Sequence, residues 1–339
     1  MAQLIERAAL NRLLRLVDSW QGKRVLVVGD LVADEHVVGR PLAIAREAPV
    51  MVLEQLSREI RPGGATNPAA NARALGADVS VCGVIGDDDA GRSLVAALTR
   101  RGIATDAVLV DPGRPTTTKT RIFAGGSQQH VQQLLLRLDR VERGVVADSV
   151  TARLTEYVAG AVGSVDALVL SDYENGVIHP GLIAACLTPA RREGKTVTVD
   201  SHGDLQRFRG ATLFTPNQPE AEGTLGRRLA DAAQLDRGGA ELLQALDAQA
   251  LLITRGQEGM SLFQRGGPPR HVPVMGAAVD PTGAGDTVAA AFTLAVVSGA
   301  SMEDAVTLAS VAASIVVARV GTAVASRDDV VQALRALAG

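Results

Sequence analysis

Arg24-Val-Leu-Val-Val-Gly29, closed by Asp30, is a short apolar run that ends in turn residues. It reads as a strand buried on both faces, the form that parallel strands take. The same pattern returns at Asp78-Val-Ser-Val-Cys-Gly-Val84, Ala167-Leu-Val-Leu170, Thr196-Val-Thr-Val199, Ala211-Thr-Leu-Phe214 and Ala250-Leu-Leu-Ile253. Helical patterns fill the gaps, over about Asn67–Leu75, Gly91–Arg100, Ser149–Val162, Pro180–Arg191 and Gly239–Leu246. Two longer helices, about Gly285–Ser298 and Met302–Val317, and one after Arg327 close the chain. Alternating β and α elements imply a mostly parallel sheet with helices on both faces. Right-handed crossovers then line the strand C-termini, and the ligand, along one edge. The first strand is followed by Gly29-Asp-Leu-Val-Ala-Asp34 rather than Gly-x-Gly-x-x-Gly, which excludes the dinucleotide oxidoreductase that the alternation alone would suggest.

Two segments leave this rhythm. Asp34–Leu56 and Thr116–Asp139 are extended and β-branched with no helix between their strands, and read as antiparallel strands forming a small lid. Gln264-Arg-Gly-Gly-Pro-Pro269 reads as a hairpin loop. The 339 residues are 47% apolar and 21% charged, which fits one globular α/β unit over 1–339 and excludes bulk disorder. A net charge of −3 argues against a nucleic-acid partner. Cys82 and Cys186 cannot build a disulfide framework, and they lack zinc-ligand spacing with the five histidines. The N-terminus carries charges where a leader would need its apolar run. Thr287–Met302 is too short and too weakly apolar to cross about 30 Å of hydrocarbon and reads as a buried helix. The expected location is the cytoplasm, with no membrane partner.

Two motifs carry chemistry. In Asp280-Pro-Thr-Gly-Ala-Gly-Asp286 the glycines flank a helix start, so backbone N–H groups and the positive helix end can form an anion hole. Asp286, in the first helical turn, is placed to take a proton from a hydroxyl while the hole holds charge on a transferred phosphoryl group. The same residues would also serve as a plain helix cap. In Arg61-Pro-Gly-Gly-Ala-Thr-Asn67 the paired glycines allow close approach of a ligand, and Asn67 offers both donor and acceptor to a sugar hydroxyl. A Gly-Gly turn with an Asn cap is the alternative.

Taken together, Gly63-Gly-Ala-Thr-Asn67 and Asp280-Pro-Thr-Gly-Ala-Gly-Asp286 resemble the two signatures of the PfkB/ribokinase sugar-kinase family, in the same order and separation. The resemblance runs from about Lys23 to Ser326. It implies a ribokinase-like three-layer α/β/α fold with a β-clasp lid, and ATP-dependent phosphorylation of a sugar or nucleoside hydroxyl. One branch fits best. Gly29–Asp34, Arg46-Glu-Ala-Pro-Val50, Leu170-Ser-Asp-Tyr173, Thr215-Pro-Asn217 and Arg137-Leu-Asp139 are similar to the heptose-kinase branch, which phosphorylates O1 of D-glycero-β-D-manno-heptose 7-phosphate in ADP-heptose synthesis. The nucleotidyltransferase half that usually accompanies that branch has an His-x-Gly-His motif, which this sequence lacks. The chain is therefore expected to be a stand-alone kinase. It departs from the branch at Asn175 and His202, where lysines are usual. Kinases for another sugar, sugar phosphate or nucleoside are the alternative, and a non-catalytic sugar- or nucleotide-binding regulator is a further one. Only 2% of residues are aromatic, which disfavours a nucleoside acceptor.

By that resemblance Asp286 is the catalytic base, and the backbone of Thr282, Gly283, Ala284 and Gly285 forms the anion hole. Asp34, Gly63, Gly64 and Asn67 are implied contacts to the sugar. Asn217 and Glu220 resemble an Asn-x-x-Glu element that organises Mg²⁺ through waters. Without the family they read as a helix cap and a first-turn acid. Thr254, Arg255, Gly256 and Gly259 resemble the nucleotide loop, and Asp280 is a candidate position for a monovalent cation, K⁺. Lys119 and Arg121 on one lid strand and Arg137 on its neighbour are candidate phosphate contacts, with Arg46 and Arg61 as further ones. The partners implied are ATP, a sugar phosphate and a second copy of the chain, since lids of this type often pair between subunits.

Overall fold

The computed structural model describes residues 7–125, 133–276, 278–319 and 321–337. Its centre is β1 (Arg24–Gly29), paired in parallel with β4 (Asp78–Ile85) on one side and β8 (Ala167–Asp172) on the other. Beyond β4 lies β5 (Ala104–Val110). Beyond β8 follow β9 (Thr196–Ser201), β10 (Leu213–Phe214) and β11 (Ala250–Thr254), all parallel. Two antiparallel strands, β12 (Met260–Gln264) and β13 (Arg270–Val272), complete a nine-stranded sheet and flank the hairpin loop expected at 264–269.

Side chains alternate across β1. Val25 and Val27 enter one core with α1 (Arg7–Asp18), α2 (Thr66–Ala74), α3 (Asp89–Arg100), α8 (Ala284–Val297), α9 (Met302–Val317) and α10 (Arg327–Ala336). Leu26 and Val28 enter the other with α4 (Asp148–Ala161), α5 (Pro180–Glu193), α6 (Gln218–Leu225) and α7 (Ala232–Ala245). The sheet is therefore the middle of three layers, and each fully buried leucine or valine contributes about 1.5–3 kcal/mol. Helix α8 is buried without interruption from Asp286 to Ala295; apart from Asp286, Thr287 and Thr293 that stretch is apolar on every side. The uncharged stretch read as one buried helix to Met302 is instead α8, a turn and the start of α9, broken at Gly299, whose φ is +82°. No helix among the described residues is long and apolar enough to cross a membrane.

The lid is a separate four-stranded sheet, β3–β2–β6–β7, longer than its expected bounds: β2 (Leu31–Ile44), β3 (Met51–Gly64), β6 (Thr117–Ala124) and β7 (Gln133–Arg140). Each hairpin is antiparallel, but β2 meets β6 in parallel, so the sheet is mixed. The lid joins the core where β1 passes into β2 and β3 into α2. Gly64, with φ +53°, stands at that joint, and a Cβ there would lie 2.4 Å from the Asp30 carbonyl oxygen. Only glycine lets the two chain segments cross so closely.

Candidate active site

The site lies where β1, β8 and β9 end beneath the lid, at the N-terminus of α8. Gly283 caps α8 with φ +79°, and a Cβ on it would come within 2.8 Å of Asn67 Nδ2. Two of the loop's N–H groups are used locally: Thr282 donates to Asp280 Oδ1 (2.9 Å) and Ala284 to the Pro281 carbonyl (3.1 Å). Among the described residues the N–H groups of Gly283 and Gly285 find no acceptor, so these two remain for an anion at the helix start.

Asp286 is 7% exposed. Asn67 Nδ2, from α2, donates to its Oδ2 at 2.6 Å, and the Tyr173 hydroxyl donates to its Oδ1 at 3.4 Å. Asn71 Nδ2 in turn donates to Asn67 Oδ1 (3.2 Å), and Thr287 Oγ1 donates to Asn71 Oδ1 (2.8 Å), which locks α2 onto α8. Burial raises the proton affinity of Asp286 above that of an ordinary carboxylate, against the opposing pull of Asn67, His202, Tyr173 and Lys119. Asp200, at the end of β9, is also raised, by burial first and then by Asp286 and Glu220. His202 bonds the Glu220 carboxylate through Nδ1, which raises its own proton affinity. Its ring meets that of Tyr173 edge-on, centroids 4.3 Å apart.

The lid supplies the opposite wall. Asp34, 3% exposed, pairs with Arg121, and His36 Nε2 is 3.5 Å from the same oxygen. Gly63 packs against it, where a Cβ would stand 3.2 Å from that of Asp34. Arg137, opposite Arg121 in the ladder, is bidentate to Asp139. Lys119 makes no ion pair among the described residues; its ammonium lies 5.0 Å from the centroid of the Tyr173 ring. Burial, then Arg137, lowers its proton affinity. Arg61 pairs with Glu59 and borders Gly321. Arg46 falls in the exposed turn between β2 and β3, about 35 Å along the strand from Asp34, and is not brought to the site.

On the far side, Asn217 and Glu220 form a reciprocal capping box at α6: Glu220 N–H donates to Asn217 Oδ1 (2.9 Å) and Asn217 N–H to Glu220 Oε2 (2.8 Å). Asn217 also bridges Thr254 at the end of β11. Arg255 is held by Glu258 and Gln218, and its N–H donates to the Gly259 carbonyl (2.8 Å), closing a turn in which Gly256 and Gly259 both have positive φ. Asp280 accepts from Thr282 N–H and, through Oδ2, from Gly321 N–H (2.9 Å). Burial alone would raise it, but these donors outweigh burial and hold it below the usual carboxylate range. Among the described residues no three His, Cys, Asp or Glu side chains gather into a metal cage.

A family model described as "pfkB family carbohydrate kinase" matches residues 23–329. The chain belongs to this family. Two relatives carry the name "Bifunctional protein HldE". That of Pelobacter propionicus is 41% identical over 311 residues, 91% of this chain and 62% of the relative. That of Caulobacter sp. strain K31 is 43% identical over 324 residues, 95% of this chain and 64% of the relative. The chain thus spans somewhat under two thirds of these relatives. Among solved structures, Arabidopsis thaliana ribokinase complexed with ribose and ATP superposes with a TM-score of 0.71 at 22% identity, over 93% of this chain and 99% of that one. Phosphofructokinase-2 from Escherichia coli in complex with fructose-6-phosphate gives 0.75 at 19% identity, over 94% and 100%. These two likenesses establish the ribokinase-like fold.

In this carbohydrate kinase the residues singled out by sequence fall into three groups, linked through Tyr173 and His202. Asn67 meets both Asp286 and Gly283, and Gly285 directly precedes Asp286 in the first turn of α8. Asp34, Gly63, Lys119, Arg121 and Arg137 line the lid. Asn217, Glu220, Thr254, Arg255, Gly256 and Gly259 share one edge of the sheet. Asp30 and Tyr173, quoted above in motifs but given no role, and Asp200 take their places in the site only from the structure. Asp30, 1% exposed, accepts N–H bonds from Tyr173 (2.7 Å), Asn175 (3.2 Å) and Val177 (3.2 Å), and so fixes the turn after β8. All three sit at strand ends, the position that marks ligand sites in parallel sheets. Asn175 is buried in that turn and its carbonyl accepts from Arg114, so it cannot stand in for a phosphate-binding lysine. His202 lies between Tyr173 and Glu220, whose carboxylate favours its protonated form.

Proposed function

We propose that this kinase transfers the γ-phosphoryl group of ATP to O1 of D-glycero-β-D-manno-heptose 7-phosphate, giving the 1,7-bisphosphate. Membership of a carbohydrate kinase family supports ATP as donor. The observation that carries a phosphorylated acceptor is the placement of Lys119, a lid cation without an ion pair among the described residues, over Tyr173, whose hydroxyl bonds the base Asp286. An acceptor phosphate on Lys119 leaves the rest of the sugar to reach Asp286. Heptose as the sugar rests on the motifs at 29–34, 170–173 and 215–217, and the relatives named HldE support the same branch.

Transfer is in line. The acceptor oxygen forms the new P–O bond as the bond between the β,γ-bridging oxygen and the γ-phosphorus breaks, and ADP leaves with the electron pair. Asp286 takes the hydroxyl proton and passes it to solvent. Its raised proton affinity brings it closer to neutrality, where a general base is most effective. The N–H groups of Gly283 and Gly285 and the positive end of α8 stabilise charge on the phosphoryl oxygens. The lid excludes water. Magnesium supplies charge neutralisation on the phosphates. Asp200 and Glu220 fit it, since Mg²⁺ retains waters and needs only one or two carboxylates, and their mutual repulsion favours a cation. Asp280 is the candidate for K⁺, although both of its oxygens already accept N–H bonds.

We further infer that lid and core work as one kinase domain over 1–339, in a homodimer covering the exposed lid leucines Leu134, Leu136 and Leu138. The functional test is ADP release with Mg·ATP and a panel of heptose 7-phosphate, fructose 6-phosphate, fructose 1-phosphate, ribose and adenosine, with Asp286→Asn as control. Preference for the heptose phosphate, abolished in the variant, is expected. Preference for ribose or adenosine would overturn the phosphorylated acceptor.

A further inference from the structure

Asp286 presents two unequal oxygens. Oδ2 is anchored by Asn67 at 2.6 Å, whereas Oδ1 has only the long 3.4 Å bond from Tyr173. Oδ1 therefore keeps lone-pair capacity for an incoming proton, and the Tyr173 hydroxyl is the group that aims it. The tyrosine is itself held from several sides. Its N–H is fixed on Asp30, its ring is met edge-on by His202, and its face carries the Lys119 ammonium. Tyr173 thus meets both Asp286 and Lys119, which makes no ion pair among the described residues.

We propose that Tyr173 is a positioning residue: its hydroxyl orients Asp286 Oδ1 toward the acceptor hydroxyl while its ring seats Lys119, so that it sets the spacing between the reacting end and the phosphate end of a sugar phosphate. The spacing role rests on the kinase reading above; the bond to Asp286 does not. Charged groups facing Asp286 are Lys119 from the lid and Asp200 and His202 from the end of β9, while Glu220 from α6 faces Asp200 and Tyr173. The Tyr173 hydroxyl stabilises the charged form of Asp286, so its loss must raise the proton affinity of the base.

Two variants separate the parts. Tyr173→Phe keeps the ring and loses the hydroxyl, and Tyr173→Leu loses both. In the full ligand-free chain, a ¹³C carboxyl titration, with Asp286 assigned through its loss in Asp286→Asn, should show Asp286 shifted up by about half a pH unit in Tyr173→Phe. An unchanged titration overturns the orienting role, whatever the substrate proves to be. With heptose 7-phosphate and Mg·ATP, Tyr173→Phe should lower kcat about tenfold with KM within about twofold. Tyr173→Leu should in addition raise KM about fivefold, through loss of the cation–π seat. Equal KM in the two variants overturns the seat. A wild type that turns over no sugar phosphate refutes the kinase reading and with it the spacing role, while the titration still decides the bond.

Discussion

Replacing Asn67 by alanine removes the shortest hydrogen bond to Asp286, the proposed base. The amide donates at 2.6 Å to Asp286 Oδ2, and Asn67 is 3% exposed, so bulk water does not replace it freely. A hydrogen bond to a charged group contributes about 1.5–3 kcal/mol. The bond favours the ionised carboxylate alone, and one pKa unit corresponds to about 1.36 kcal/mol. The proton affinity of Asp286 should therefore rise by about 1–2 pH units. Since the base must be ionised to act, the acid limb of the kcat profile should move up by the same amount, with part of the rate recovered at pH 9. The geometry also demands an order: Asn67→Ala must shift the limb further than Tyr173→Phe, because 2.6 Å is a strong bond and 3.4 Å a weak one. The assay is ADP release at saturating sugar phosphate and Mg·ATP from pH 5 to 9, with the same titration of the ligand-free chain. An acid limb that stays within about 0.3 unit of wild type, or a larger shift from the tyrosine, would refute the reasoning.

Asp286→Asn should lower kcat by about 10²–10⁴-fold and, at the same time, stabilise the fold in a pH-dependent way. The folded-state pKa of Asp286 lies above its unfolded value, so its favourable contribution is complete below the unfolded pKa and is lost as pH rises through the folded one. The variant should thus match wild type near pH 4 and exceed it by about 1–3 kcal/mol at pH 8 in urea unfolding; equal curves at both pH values would contradict the buried charge. Lys119→Ala should raise KM for the sugar phosphate about tenfold or more and leave any residual rate with an unphosphorylated sugar unchanged. A proportional loss with both acceptors would remove Lys119 from phosphate binding. Leu136→Asp combined with Leu138→Asp should halve the mass seen by light scattering; an unaltered dimer would place the interface elsewhere.

Most of the layered fold is legible because uniformly apolar runs such as Arg24–Gly29 become strands buried on both faces. Strand β5 escapes that reading because Ala104–Val110 is an edge strand, half exposed and mixed in polarity. Helix α1 carries Leu10, Leu13, Leu14 and Val17 at helical spacing, a signal as clear as that of the helices read from sequence. The parallel meeting of β2 and β6 has no local signature, since it joins two hairpins distant in the chain. Of the site, Asp286 and the glycines of its loop stand out because a helix start and its N–H groups are a local property. Tyr173 stands in a motif whose spacing gives it no role, and Asp200 is one polar residue at the end of an apolar run.

The sequence by itself determined the alternation, the helix whose start holds Asp286, and the supply of cations on the lid strands, because each depends on residues within one or two turns or strands of one another. Only the tertiary structure decided what those groups do. Asn67 meets Asp286 across 219 positions, Tyr173 across 113, and Arg121 is spent on Asp34 while Lys119, without an ion pair among the described residues, lies over a ring. The proton affinities of Asp286, Asp200 and Lys119 are shifted by burial, and burial arises when distant segments close over a side chain.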